Sequence, residues 1–532
     1  MTAVAPTPAE LPEPAGRLPP LAPIAGPHPN HHHKISPWLD EQMWGHRLWD
    51  AESPWLVFLE FLTVADACQR EGRLLEAGGA YPLTFRPQQR MFLRNILFNS
   101  DDMARAAEEI RDSRLAWETW LARMGERARG VHDPDFSYLR PRFHSFEEFA
   151  RVVRLLRSGV VERDSNKRWT SRFLFPFGRH ALYEDLNINQ GTNSATREYI
   201  NFGRTGELLY LMLCRSDRRA DLVPYVAGIV DGAGQWDRLV AALQPEGGGD
   251  QAERGNSYLP YASHPVFDAL AEDWLAVSRL DLPTFDAYPH LVALAGLHLM
   301  RYHLSIGAAW AGRQALPTMV CEIVAPKKTL VRELSLGSYA QNDALSTEAI
   351  EQFVGAIGRT PAWQQAAAGH GAFARCRELL RHWVSWGERK DYDGPNDPQL
   401  LLKELCTVAL KRHRQHVAQF HRSFGREIGL VSRRGTTRLR YAPTDELMES
   451  LLFANVVHRM EFGEFLQCLF ERYGLVIGDR EAEHVTPAEE FDRKAFQKNA
   501  HRLEQRLASL GLLRRLSDAC AYVVNPYGRS PV

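Results

Sequence analysis

Residues 444–527 constrain this chain more than any other stretch, because they read helix, helix, helix and then two short strands. That is the order of elements in a winged helix. Helices are expected over residues 444–457 and 462–473. In the second, Phe462, Phe465, Leu466, Leu469, Phe470 and Tyr473 recur at i, i+3, i+4, i+7, i+8 and i+11, a core-facing stripe that stops at Gly474. Thr486-Pro487-Ala488-Glu489 has the form of a capping box with proline at the first helical position, so a longer third helix is predicted to start at Thr486. Along it Phe496, Leu503, Leu507 and Leu510 keep helical spacing, whereas Arg493, Lys494, Gln497, Lys498, His501, Arg502 and Gln505 fall largely on other faces. Gly511 supplies a left-handed stop, residues 512–516 and 521–524 read as a hairpin, and Asn525-Pro526 ends it. A basic second helix of this kind can lie in a DNA major groove, with Lys and Arg on phosphates and Gln, Asn or Arg on base edges. The plainer alternative is a winged helix used only for protein contact or packing.

A second basic cluster leads into this segment. Between Lys403 and Arg440 stand ten Lys or Arg against two acids, Glu404 and Glu427. Lys411, Arg414, Gln415 and Arg422 fall on one side of a helix, and Arg433-Arg434-Gly435-Thr436-Thr437-Arg438 reads as a hairpin tip carrying three arginines, with Arg440 just beyond. The nucleic-acid-binding candidates are therefore Lys411, Arg414, Arg433, Arg434, Arg438, Arg440, Arg493, Lys494, Gln497, Lys498, His501 and Arg502. Because the whole chain carries a formal net charge of −1, such a site is a local patch and not a global basic coat.

The rest of the 532 residues reads as mainly α, a multi-domain helical protein with small β-ribbons and a C-terminal winged helix. Residues 1–34, rich in proline and alanine, are expected to be a disordered arm. Residues 35–246 form a mainly helical N-terminal domain with a β-ribbon, and its density of Trp and Phe is that of a core. Helices are expected over 56–68, 88–98, 102–128 and 145–156. Arg86, Arg90 and Arg94 make either a phosphate-binding row or a solvated face. Lys167 to Phe177 mixes cations with aromatics, which suits either single-stranded nucleic acid or a ribbon with a buried face. Gly247-Gly248-Gly249 marks a linker at 247–257. A helical middle domain follows over 258–400, with His290, His298 and His303 packed or hydrogen-bonded and Ser346 as an N-cap. The last domain, 401–532, joins the basic helix and hairpin to the winged helix.

Nothing in the chain predicts a cofactor or a metal. Gly203 and Gly206 lack the spacing and lysine of a phosphate-binding loop. The turn around Gly394 lacks the acid pattern of a calcium loop. The histidines at 28, 31–33 and 46 form a local cluster that could bind a metal but reads instead as solvated on a flexible segment, and His413, His416 and His421 with Cys406 lack a paired-cysteine ligand pattern. Seven scattered cysteines and the lack of a long apolar run suit a soluble cytoplasmic protein that does not enter a membrane.

Several phrases, among them Glu41-Gln42-Met43-Trp44-Gly45-His46-Arg47, Gly206 to Leu213, Arg472 to Gly478 and Leu516 to Tyr522, resemble proteins of bacterial phage-defence islands of the methylation-associated type. The resemblance implies a subunit working beside separate helicase, methyltransferase, kinase or nuclease partners, and it carries over no catalytic residue. Three functions follow as expectations. The first is a DNA-binding or DNA-sensing subunit without chemistry of its own, with duplex DNA and other defence-system proteins as partners. The second is a protein scaffold without DNA contact, and the third a cryptic metal-dependent nuclease whose acids meet only in the fold.

Overall fold

The computed structural model describes residues 22–23 and 38–528 except 46–47, 49, 79–82, 100, 162–167, 190, 248–251, 258, 314, 326–328, 389, 434–437 and 518–519. The described residues are mainly helical, with sheets of two or three strands. They fall into two compact units, one of Ala51–Cys214 with Ala220–Gly255, the other of Met1–Asp50, Arg215–Arg219 and Asn256–Val532. The proline-rich arm predicted at 1–34 lies outside the described residues apart from the strand Ala22–Pro23.

The unit of Ala51–Cys214 is built on α1 (Pro54–Arg70), which is buried on nearly every side, Glu60 and Asp66 included. Ser53 caps it and Pro54 opens it. The predicted helix over 102–128 is broken. Asp112 accepts hydrogen bonds from the Arg114 and Leu115 amides and starts a separate helix, α2 (Ser113–Arg127). Its Trp117 and Trp120 pack 4.9 and 5.0 Å from Phe149 of α3 (Phe146–Ser158). Two ribbons follow, β1 (Val160–Val161) with β2 (Phe173–Leu174) and β3 (Leu186–Ile188) with β4 (Ala195–Arg197). Within the cation-and-aromatic stretch, Phe173–Leu174 is a ribbon strand with both side chains buried. Phe173 stacks between Tyr183 and Phe202 and offers no ring to a base. The arginine row is neither a phosphate site nor a solvated face, since Arg94 is fully buried against Tyr183 and Arg90 donates to the Leu182 and Arg179 carbonyls. Finally α4 (Thr205–Cys214) crosses α1 so closely that a Cβ on Gly206 would lie 2.6 Å from Glu60.

In the other unit α5 (Pro265–Ser278) and α6 (Thr284–Trp310) pack together, and β5 (Met319–Val320) precedes the 30-residue α7 (Leu330–Arg359). Ser346 does not cap a helix; it is buried in the middle of α7, whose cap is Thr329. Next come α8 (Ala372–Val384), α9 (Pro398–Gln415) and α10 (Val417–Glu427). The three predicted core histidines of α6 are packed: His290 meets Ser450 Oγ, His298 meets Asp273, and His303 stacks on Trp44, as His413 does, each 5.5 Å from the indole.

The arginine-bearing hairpin is present as β6 (Val431–Ser432) paired with β7 (Arg440–Tyr441), its tip at 434–437 lying outside the described residues. Thr444 then caps α11 (Asp445–Asn455), β8 (Arg459–Glu461) follows, and α12 (Phe462–Tyr473) ends on Gly474 at φ +74°. Two unforeseen elements intervene. One is β9 (Leu475–Val476), which pairs in parallel with β5; the other is α13 (Asp479–Val485). The last helix, α14 (Arg493–Ser509), starts seven residues later than predicted. The Thr486 amide bonds back to Ala482 and so closes α13, and the cap of α14 is Asp492, which accepts from the Ala495 amide. Phe491 stacks on Phe496 across that cap and staples the entry. Gly511 at φ +73° ends α14, and β10 (Leu513–Ser517) and β11 (Cys520–Val524) form the expected hairpin. The strand β8 returns to its free edge, giving the order β8-β11-β10, with Met460 opposite Val523 and Val523 opposite Leu513.

Candidate nucleic-acid interface

α14 is anchored on one face and open on the other. Phe496 enters a core with Val320, Val331, Val476 and Ala482, and Leu503 and Leu507 are buried further along. Asn499, fully buried, donates to the Cys321 and Ile477 carbonyls and accepts from the Ile323 amide at 2.8 Å. One amide side chain thus fixes the helix to two loops and pairs three of their backbone groups.

The opposite face carries Lys494, Gln497, Lys498, His501 and Gln505, all exposed. Lys494 and Lys498 lie one turn apart and have no partner among the described residues, so both charges are available to a polyanion. The neighbours are more committed. Arg493 is exposed but pairs with Glu483 at 3.3 Å and stands 3.9 Å from Asp479. Gln497 donates to Asp479, and His501 sits 3.1 Å from Glu504. Arg502 does not belong to the open face. It donates to the Ile323 carbonyl and to Asn499, and burial lowers its pKa.

Arg440 is a further correction. It is 1% exposed and bonded to the fully buried Glu322, which also has Arg332 at 3.6 Å. It stands at an inward position of β7, where it neutralises a buried carboxylate and cannot reach a phosphate. Lys411 and Arg414 are exposed on α9, and Arg433 and Arg438 are exposed on either side of the hairpin tip; Arg434 falls outside the described residues. Arg412 of the same cluster is spent on Trp38, 5.0 Å from its ring, and on Glu41.

Two cations that helix patterning overlooks stand on the outer face of the three-stranded sheet. Arg514 is exposed opposite Tyr522, and Arg459 lies 5.7 Å over the same ring. The alternation Leu513-Arg514 in a strand is the signal for the first, while the second needs the pairing of β8 with β11.

Among the described residues no group of three or more His, Cys, Asp or Glu side chains is placed to share a metal ion, and no helix is long and apolar enough to cross a membrane. The histidines at 28, 31–33 and 46 lie outside those residues. His413 is fully buried, and burial pushes its pKa down to about 3.

No curated protein and no solved structure matches the chain. Residues 399–526, from α9 to the last strand, match the family model described as methylation-associated defense system protein MAD7, a match that supports a defence-system component of the methylation-associated type.

Proposed function

We propose that residues 445–527 form a winged helix and that the protein is a DNA-binding or DNA-sensing subunit of its defence system, without chemistry of its own, acting with separate enzymatic partners. The observation that carries this is the order α11, β8, α12, β9, α13, α14, β10, β11 with β8 at the edge of the hairpin, so that the helix entering the hairpin presents unpaired Lys494 and Lys498. α14 supplies the groove-facing side, with Gln497 and His501 as base-edge candidates once their intramolecular bonds exchange. The hairpin supplies Arg514 beside it, and Lys411, Arg414, Arg433 and Arg438 extend the phosphate contacts. The test is duplex binding by the full chain, read by fluorescence anisotropy. Lys494→Glu combined with Lys498→Glu is expected to weaken binding by about tenfold or more, and unchanged affinity would contradict the assignment.

A protein-scaffold role has one observation in its favour. Leu516 near the end of β10 is 69% exposed and Val457 before β8 is 72% exposed, which is unusual for apolar side chains at a surface reserved for nucleic acid. Co-purification of other defence-system proteins that survives nuclease treatment, with no DNA shift at low salt, would favour that reading.

A further inference from the structure

Away from the basic face, a cavity of about 400 Å³ lies between the start of α5, the second half of α6, residues 316–319 and the end of α12. Its walls are mostly apolar, from Val266, Ala269, Leu304, Leu316, Met319 and Phe470. Two guanidinium groups, Arg301 and Arg472, stand on it, and they are not equivalent. Asp273 is fully buried and accepts from Arg472 at 2.5 Å, from the Tyr473 hydroxyl at 2.8 Å and from His298 Nε2 at 2.7 Å. Arg472 is thereby neutralised, with Glu272 at 3.5 Å as a second partner. His298, its proton on Nε2, has a bare Nδ1 that takes a single hydrogen bond from Arg301 at 3.2 Å. No carboxylate among the described residues pairs with Arg301. Its guanidinium is partly buried, lies 5.5 Å from the Tyr473 ring centre and borders the cavity. Its ionisable neighbours leave it without a carboxylate of its own: Asp273 acts on it only at a distance and is bonded to Arg472, burial lowers the pKa of His264 and His298, and Glu471 stands exposed at the rim.

A cation held at the end of an apolar cavity without a directly paired carboxylate costs free energy that a bound anion would recover. The volume lies within the range of small-molecule sites, and one convergent charge with few other polar groups is how such sites fix a ligand's orientation. A guanidinium fork matches the two oxygens of a phosphate or carboxylate. We propose that this cavity binds a small molecule carrying one phosphate or carboxylate group on an apolar body, the anion on Arg301 and the body against Leu304, Met319 and Phe470. Ser305, whose Oγ is 3.2 Å from His264 Nε2, lies beside the anion as a second hydrogen-bonding group.

The experiment uses the full chain and three probes of one size, phenyl phosphate, benzoate and benzyl alcohol, with binding read by calorimetry and by the rise in Tm at millimolar concentration. At least one anionic probe is expected to bind, the stronger of the two identifying the head group, and the neutral alcohol to bind at least about tenfold more weakly. Arg301→Met is expected to abolish the preference for the anions. Ala269→Leu, at a partly exposed lining position, is expected to narrow the cavity and weaken binding even where the Arg301 variant fails to fold. The proposal is overturned if neither anion binds, if the alcohol binds as well as the anions, or if either folded variant binds like the wild type.

Discussion

Glu322 is a buried carboxylate whose charge is met by Arg440 on one side and Arg332 on the other. Removing the closer partner leaves that charge short of compensation, so Arg440→Ala is expected to destabilise the protein by about 3–5 kcal/mol in denaturant unfolding. A folded Arg440→Ala variant of unchanged stability would contradict the burial. Asn499 is the second such residue, because three backbone groups depend on it. Asn499→Ala is expected to cost about 2–3 kcal/mol and to loosen α14 from residues 321–323, measured by amide exchange there. Neither role was legible in the sequence. Arg440 looks like the tenth member of a basic run, and only its depth in β7 separates it from Arg438 two residues earlier. Asn499 looks like one polar residue among many on α14. Charge is written in the sequence, but the element that turns a side chain inward is not.

At the scale of elements, α12 could be read to the residue, since its apolar stripe and its glycine stop are both local signals. The start of α14 could not. Two capping patterns compete within seven residues, and Thr486 loses because its amide is already used to close α13. What decides is the pairing of Phe491 and Phe496 across Asp492, which adds core burial to the cap. Asp492→Ala is accordingly expected to cost about 1 kcal/mol, whereas Thr486→Ala costs a few tenths at most. Equal effects, or the reverse order, would contradict this helix start. β9 was out of reach for a different reason: its partner β5 lies more than 150 residues earlier, and two-residue parallel pairings leave no periodic trace.

For the whole molecule, buried titratable groups set the pH range of stability. Glu60 and Glu207 share Arg197, and burial together with Glu207 raises the Glu60 pKa to about 8. A carboxyl with a raised folded-state pKa stabilises the fold while protonated, and that contribution is lost as pH rises toward 8. The histidines act in the opposite direction. Burial holds His264 and His413 at about 3, so the fold rejects protons that the unfolded chain takes up, and stability falls as pH drops below about 6.5. Tm should therefore decline on both sides of a maximum at about pH 6.5, and Glu60→Gln should flatten the alkaline decline. An alkaline slope identical to wild type would remove Glu60 from this role.

The central claim is that the outward face of α14 meets the phosphates of duplex DNA, and the slope of log affinity against log salt tests it most directly. Each phosphate contact contributes about −0.9 to that slope. The full chain is predicted to bind duplex DNA with a slope of several units, and the Lys494→Glu, Lys498→Glu double variant to lose about two of them. Binding whose slope is the same in both proteins, or no binding at low salt, would contradict the account.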